Sequence, residues 1–233
     1  MLDRADALIV KCRQALALHD DLTRSMFIDR FGDAHENPFG FDVRPLDEWL
    51  IPGRPMTYGI LMPGSDTPGG VPYVRVVDMR AGGIAVAGIR HTTREISQQY
   101  RRSLLMAGDL LISIRGHVGR LAPVPAELDG ANITQDSARL AVPAESRHYI
   151  LAALRSPASQ RWMAKRTKGV AVQGINLGDL RQLPLPIPPL QLQTAFAERW
   201  ETQTSAYGAQ ASSMRMLDGL FASVQQRAFA GEL

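Results

Sequence analysis

Leu110-Leu111-Ile112-Ser113-Ile114-Arg115-Gly116-His117-Val118-Gly119-Arg120-Leu121-Ala122-Pro123-Val124 is the most informative stretch of this 233-residue chain. Its two apolar runs, Leu110–Ile114 and Leu121–Val124, are too short for helices and are bounded by turn residues, as strands are. Between them two glycines permit a tight backbone, and Arg115, His117 and Arg120 are placed to project toward a phosphate or a base edge. Similar short runs at Tyr73–Val77 and Ala138–Val142 predict further strands. Ser146–Lys165 reads as helical but carries Pro157, which predicts two short helices meeting there. Leu177–Leu183 adds a turn or two of helix. The middle of the chain therefore reads as an α+β block with irregular loops, not as an alternating β-α-β series.

The flanks have a different rhythm. From Leu2 to about Arg30 there is no Pro or Gly, and Leu8, Cys12, Ala15, His19, Leu22 and Met26 recur at alternating spacings of four and three. Gly32 is a stop signal, and 32–40 reads as a linker. On the other side, Pro184-Leu185-Pro186-Ile187-Pro188-Pro189 is a polyproline-like strut in which no helix can run. Past it, Leu190 to about Phe229 reads as one helix of roughly 60 Å. Phe196, Trp200, Gln203, Tyr207, Gln210, Met214, Leu217, Phe221 and Val224 form its seam. Such a seam calls for a partner helix, from the same chain or a second copy; a helix lying on the domain surface is the alternative. The expected division is 1–31 (N-terminal helix), 32–186 (globular domain) and 187–233 (proline-led C-terminal helix). A weak repeat relates the flanks: Asp20, Leu22 and Ser25 followed by Phe31-Gly32 match Asp218, Leu220 and Ser223 followed by Phe229 and Gly231.

Composition narrows the function classes. With 45% apolar and 21% charged residues the chain suits one or two globular domains. No apolar run approaches the roughly 18–20 residues needed to span a bilayer. The acidic N-terminus lacks an apolar run before a cleavage site, and a cytoplasmic protein is the expectation. Cys12 is the lone cysteine, which excludes disulfide scaffolds and Cys-based zinc sites. The net charge is +3, but from Val71 to Arg181 there are 16 Lys+Arg against 8 Asp+Glu, a local +8. A basic centre between acidic flanks points to a polyanion site in the middle. Of the 26 cations 23 are arginine, which fits phosphate and guanine recognition and equally fits Arg-rich codon usage.

Catalytic groupings are absent by sequence criteria. The five histidines are never closer than 16 residues, so no local metal-ligand pair exists. Neither a phosphate-binding Gly-x-x-x-x-Gly-Lys-[Ser/Thr] loop nor a Gly-x-Gly-x-x-Gly turn occurs. The three lysines, Lys11, Lys165 and Lys168, stand outside the acid-spacer-lysine pattern of many metal-dependent nucleases. Asn37-Pro38-Phe39 resembles the Asn-Pro-Pro-aromatic corner of amino-methyltransferases, yet no cofactor turn precedes it, and it reads as a linker turn. No metal, cofactor or catalytic residue is expected.

What remains is a set of basic loops: Arg115, His117 and Arg120 above; Arg90-His91-Thr92-Thr93-Arg94; and Lys165-Arg166-Thr167-Lys168-Gly169 through Gln173-Gly174. Arg can grip guanine and Gln adenine, while Lys and Arg on phosphates add salt-sensitive affinity without sequence information. Nucleic-acid contact is the reading these clusters favour together.

The chain also resembles the specificity subunits of type I restriction-modification systems. The resemblance is carried by Val71-Pro72-Tyr73-Val74-Arg75-Val76-Val77-Asp78-Met79, by Ala107-Gly108-Asp109 running into the opening stretch, and by Asn132-Ile133-Thr134-Gln135-Asp136. It continues through Ile175-Asn176-Leu177-Gly178-Asp179-Leu180-Arg181-Gln182-Leu183-Pro184, Pro188-Pro189-Leu190-Gln191-Leu192-Gln193 and the tail Leu217–Leu233. It implies one mixed α/β target-recognition domain that reads half of a split double-stranded DNA site. It further implies flanking helices that pair as an antiparallel coiled coil and dock N6-adenine methyltransferase subunits and a motor/nuclease subunit, where catalysis would reside. Full-length members carry two recognition domains and this chain has one, which implies a homodimer reading an interrupted palindrome, or else a fragment. The interface would use Leu8, Leu22, Met26, Phe196, Trp200, Tyr207, Met214, Leu217, Phe221 and Val224. Segments shared by family members with different targets, Asn132–Gln135 and Asn176-Leu177, should be structural or contact backbone. Base reading then falls to Arg90, His91, Thr93, Lys165, Lys168 and Gln173, with Arg75, Arg115 and Arg120 on backbone and Arg166 and His117 completing the basic surface. The alternatives are a coiled-coil scaffold and a stand-alone recognition domain of another defence or modification system.

Overall fold

The computed structural model describes residues 22–33, 36–80, 83–170 and 172–205. These fall into two compact units, one of residues 31–194 and one made from 22–30 with 195–205.

The larger unit is organised around the strand pair read first in the sequence. β1 (Val43–Pro45), β2 (Thr57–Tyr58), β3 (Val71–Val74), β4 (Met79–Arg80), β5 (Gly83–Ile84), β6 (Arg90–Thr92), β7 (Leu110–Ser113), β8 (Leu121–Pro123), β9 (Asn132–Ile133), β10 (Ser137–Leu140) and β11 (Pro184–Pro186) are its strands. β7 and β8 pair antiparallel, with Leu111 opposite Ala122, and β10 flanks β7, with Ala138 opposite Ile112. β2 closes this four-stranded sheet in the order β2-β10-β7-β8. Every residue of β7 and β10 is buried, so both faces of the strands are covered and no apolar-polar alternation exists. Val74, Met79, Leu105, Leu111, Ala122, Val124, Leu128, Ala131 and Ile133 form a contiguous core.

A second sheet, β6-β3-β9, holds a parallel pair, Tyr73 with Asn132 and Val74 with Ile133. The chain passes so close at Gly59 that a β-carbon there would stand 1.8 Å from the Ile133 carbonyl oxygen; only glycine fits.

The expected strand Tyr73–Val77 is shorter than read. It ends at Val74 because the Asp78 carboxylate accepts the Arg75 backbone N–H at 2.9 Å and its guanidinium at 2.7 and 2.9 Å, curling Val76–Asp78 into a 3-10 turn. The basic stretch read as a loop at 90–94 is instead β6 followed by α2 (Arg94–Gln99). The helix expected over 146–165 breaks where Pro157 predicts, giving α3 (Arg147–Arg155) and α4 (Pro157–Arg166). Ser156 caps α4, its hydroxyl accepting the Ser159 N–H, with Pro157 at the first helical position. α5 (Leu177–Arg181) is capped by Asn176, whose Oδ1 accepts the Asp179 N–H at 2.7 Å.

Part of the proline-rich strut is a strand. β11 pairs antiparallel with β1, and the clasp is extended by Leu46 N–H to the Leu183 carbonyl (2.8 Å) and Ile187 N–H to the Asp42 carbonyl (2.7 Å). Proline is tolerated because this is a two-stranded edge. Asn37, at φ +43, makes the turn expected of it, exchanging two side-chain bonds with the Phe41 backbone at 2.6 and 3.0 Å.

In the smaller unit, residues 22–30 form helix α1, and residues 195–205 are helical as well. Phe27 meets Phe196 edge-on at 6.0 Å, and Phe196 meets Trp200 at 5.8 Å. On the N-terminal helix Thr23 and Phe27 are buried, whereas Leu22 is exposed and Met26 half-buried. Phe27 is a larger apolar group than Met26 and takes the inward position beside Phe196. Leu8, Tyr207, Met214, Leu217, Phe221 and Val224 lie outside the described residues.

Candidate nucleic-acid interface

The turn between β7 and β8 is locked from within. The Ser113 hydroxyl donates to the His117 carbonyl and accepts the Arg120 N–H, and Gly119 donates to the Ser113 carbonyl at 2.9 Å. Gly119, at φ +88, lies against α4; a β-carbon there would meet Gln160 Oε1 at 2.6 Å. Gln160 Nε2 donates to the Gly119 carbonyl at 3.1 Å, tying the turn to that helix. Held this way, the turn leaves Arg115 and His117 exposed. Arg120 points inward: its Nη1 donates to the carbonyls of Val76 (3.2 Å) and Met79 (3.0 Å), joining the turn to the segment after β3.

The third basic cluster, far away in sequence, is laced to this turn. Gly116 N–H donates to the Gln173 carbonyl (2.9 Å) and Ile175 N–H to the Ile114 carbonyl (2.9 Å). Lys168 and Gly174 exchange backbone hydrogen bonds of 2.8 Å in both directions, closing a loop from which Lys168 and Gln173 are exposed. Arg166 stacks over Trp162, its guanidinium carbon 3.7 Å from the ring centroid, and donates to that residue's carbonyl at 3.3 Å. Lys165 is exposed beside it.

Toward the other side, Arg115 Nη1 donates to Gln135 Oε1 at 3.0 Å, and the Asp136 carbonyl accepts the N–H groups of Ile114 and Arg115. Gln135 and Asp136 then line a cleft of about 460 Å³ with Leu61, Tyr73, Arg75 and Arg90. Here the cations differ in commitment. Arg75 is held by Asp78, and that hydrogen bond keeps its proton more firmly than usual. Arg90 is exposed on β6.

Of the remaining β6 candidates, His91 gives its backbone N–H to Asp66 (2.8 Å), with its ring Nδ1 3.9 Å from the same carboxylate. The Thr93 hydroxyl caps α2 by accepting the Ile96 N–H at 3.3 Å. The structure thus joins Arg90, Arg75, Arg115, Lys168 and Gln173 in one strip running from the cleft to the loop, while Arg120 and Thr93 serve the scaffold. Gln135 is the linking side chain that sequence reasoning left out: it sits in a segment read as structural, and its neighbours Asn132 and Thr134 are indeed buried. Among the described residues no group of three or more His, Cys, Asp or Glu is arranged to hold a metal ion. None of the described helices is long and apolar enough to cross a membrane.

Residues 65–205, more than half of the chain, match the family model described as type I restriction modification DNA specificity domain. The Escherichia coli type I restriction enzyme EcoBI specificity subunit is 31% identical over 191 residues, covering 77% of this chain and 39% of that protein. In fold, the chain is similar to the HsdS subunit of Thermoanaerobacter tengcongensis, with a TM-score of 0.56 and 18% identity over 100% of this chain and 56% of that one. A second solved chain, described under complex assembly and conformational transition of the type I R-M system, gives a TM-score of 0.51 at 18% identity, covering 99% of this chain and 58% of that one. The chain spans well under half the length of the curated relative and a little over half of the two solved chains. With its basic strip mounted on a mixed α+β scaffold, the chain belongs to the type I restriction modification DNA specificity domain family.

Proposed function

We propose that this chain is the non-catalytic DNA-reading subunit of a type I restriction-modification system, one domain reading one half of a bipartite site. The observation that carries this is the lacing of Gly116 to Gln173 and of Arg115 to Gln135, which merges basic segments far apart in sequence into one surface. Arg115 and His117 in the turn, with Arg75 and Arg166, bear on the phosphate backbone. Arg90, Lys168, Gln173, Lys165 and His91 face the bases; Thr93 and Arg120 support the elements that carry them. The helices at the two ends pair as an antiparallel coiled coil, space two copies of the chain as a homodimer, and dock N6-adenine methyltransferase subunits and a motor/nuclease subunit. Support comes from the matched position of Phe27 and Phe196 and from the repeat that relates the two flanks.

The test is methylation-sensitive sequencing of source-cell DNA with the gene present and deleted. An interrupted palindrome bearing N6-methyladenine should vanish on deletion. Loss of an asymmetric split motif would replace the homodimer by two different readers, and an unchanged adenine methylome would overturn the function. Within the site, Arg90→Ala and Gln173→Ala should weaken binding to the cognate duplex about 5- to 150-fold and leave scrambled duplex unchanged; Arg115→Ala should weaken both alike. Equal losses on both duplexes would remove Arg90 and Gln173 from base reading. Salt separates this function from a coiled-coil scaffold: several phosphate contacts predict a loss of orders of magnitude in affinity between about 50 and 200 mM salt.

A further inference from the structure

The loop closed by Lys168 and Gly174 carries two apolar side chains where cations would be expected. Val170 is 106% exposed, as open as an isolated residue, and Val172 is 64% exposed. Both stand in water on a base that is not loose. Two backbone bonds close the loop at Lys168 and Gly174, and a third ties Gln173 to the β7–β8 turn. Around them the charge has one sign: Lys165, Arg166 and Lys168 precede, Arg115 lies across the bridge to Gly174, and no acidic residue occurs from Arg161 to Leu177. The cationic collar disfavours a basic partner surface. With its apolar tip, it suits a polyanion that presents apolar groups between its charged rails. The thymine 5-methyl group, which lines the major groove of DNA between two phosphate backbones, has that character.

We infer that Val170 and Val172 enter the major groove and read thymine methyl groups, while Arg115 holds a flanking phosphate. The inference rests on the DNA-reading function above and adds apolar, shape-based discrimination to the polar contacts of Arg90 and Gln173. Burying one methyl group predicts about a fourfold preference for thymine over uracil at each contacted position. Neither valine is part of the core, so Val170→Ser and Val172→Ser should leave stability nearly unchanged.

The experiment uses the full chain co-expressed with its methyltransferase partner and a pool of 30-base-pair duplexes with a randomised core. The motif enriched by wild type is then synthesised with thymine and with deoxyuridine. Wild type should bind the uracil duplex about fourfold more weakly for each contacted thymine. The V170S/V172S variant should bind thymine and uracil duplexes equally, and should enrich a motif relaxed at an A·T position. A motif that the variant enriches unchanged, or a wild type indifferent to uracil, overturns this inference and leaves the DNA-reading function standing. If no duplex is enriched at all, both fail. A variant that reads DNA normally but no longer copurifies with the methyltransferase would move the valines to a protein interface and also overturn the inference.

Discussion

Asp109 is a buried carboxylate that faces Arg54 through two hydrogen bonds, at 2.9 and 2.8 Å, and accepts the Met106 N–H at 2.8 Å. Close by, Arg139 is buried, gives its Nη atoms to the carbonyls of Leu104 and Pro55, and holds its proton less firmly than usual because it has lost water. Asp109 is thus the anion that makes these cations tolerable. Asp109→Asn should cost about 3 kcal/mol or more, since removing one partner strands buried charge; urea unfolding at neutral pH would show it. Tyr149 makes a second, milder case. Its hydroxyl donates to the Pro186 carbonyl at 2.6 Å, and burial pushes its ionisation well above the ordinary phenol range. A folded-state value above the unfolded one gives stability that is whole below about pH 10 and lost as the pH climbs toward the folded value. Wild type should therefore weaken as the pH rises above about 10. Tyr149→Phe should lose about 1 kcal/mol at pH 8 and show a flatter alkaline decline in the same urea experiment.

At the scale of elements, close approach sets the sharpest constraint. Gly59→Ala drives a β-carbon into the Ile133 carbonyl, so the Ile60–Thr134 bridge must open; a fall in thermal midpoint of several degrees is expected, with duplex binding reduced because Gln135 and Asp136 follow Thr134. Elements with local chemistry were legible: Leu110–Ile114 and Leu121–Val124 fall within a residue of β7 and β8, and Pro157 marks the start of α4. What escaped was set by distant partners. β9 is only Asn132-Ile133, too short for any periodicity, and exists because β3 lies alongside it. β11 is a strand despite two prolines because β1 presents an edge. The same divide runs through the site. The basic clusters were visible as composition, but Arg120 and Arg90 look alike in sequence. Only the carbonyls of Val76 and Met79 show that one arginine is structural while the other faces outward. In 22–30, Met26 and Phe27 are both apolar and alike in sequence, and only the geometry shows Phe27 beside Phe196.

For the whole molecule, the homodimer is the proposal with the most direct physical readout. Light scattering on the purified chain should give about twice 25.6 kDa, and a monomer across micromolar concentrations would refute it. The clasp of β1 with β11 bears on the molecule's history as well as on its stability. It brings the backbone at Asp42 and at Ile187 within one hydrogen bond of each other, so the chain enters and leaves the segment between them at one place. Two genetic crossovers, one in each strand of that clasp, would exchange the whole segment between β1 and β11 at once. New target sequences could then be acquired by exchange of a cassette, in one inherited event, without stepwise change of a working surface.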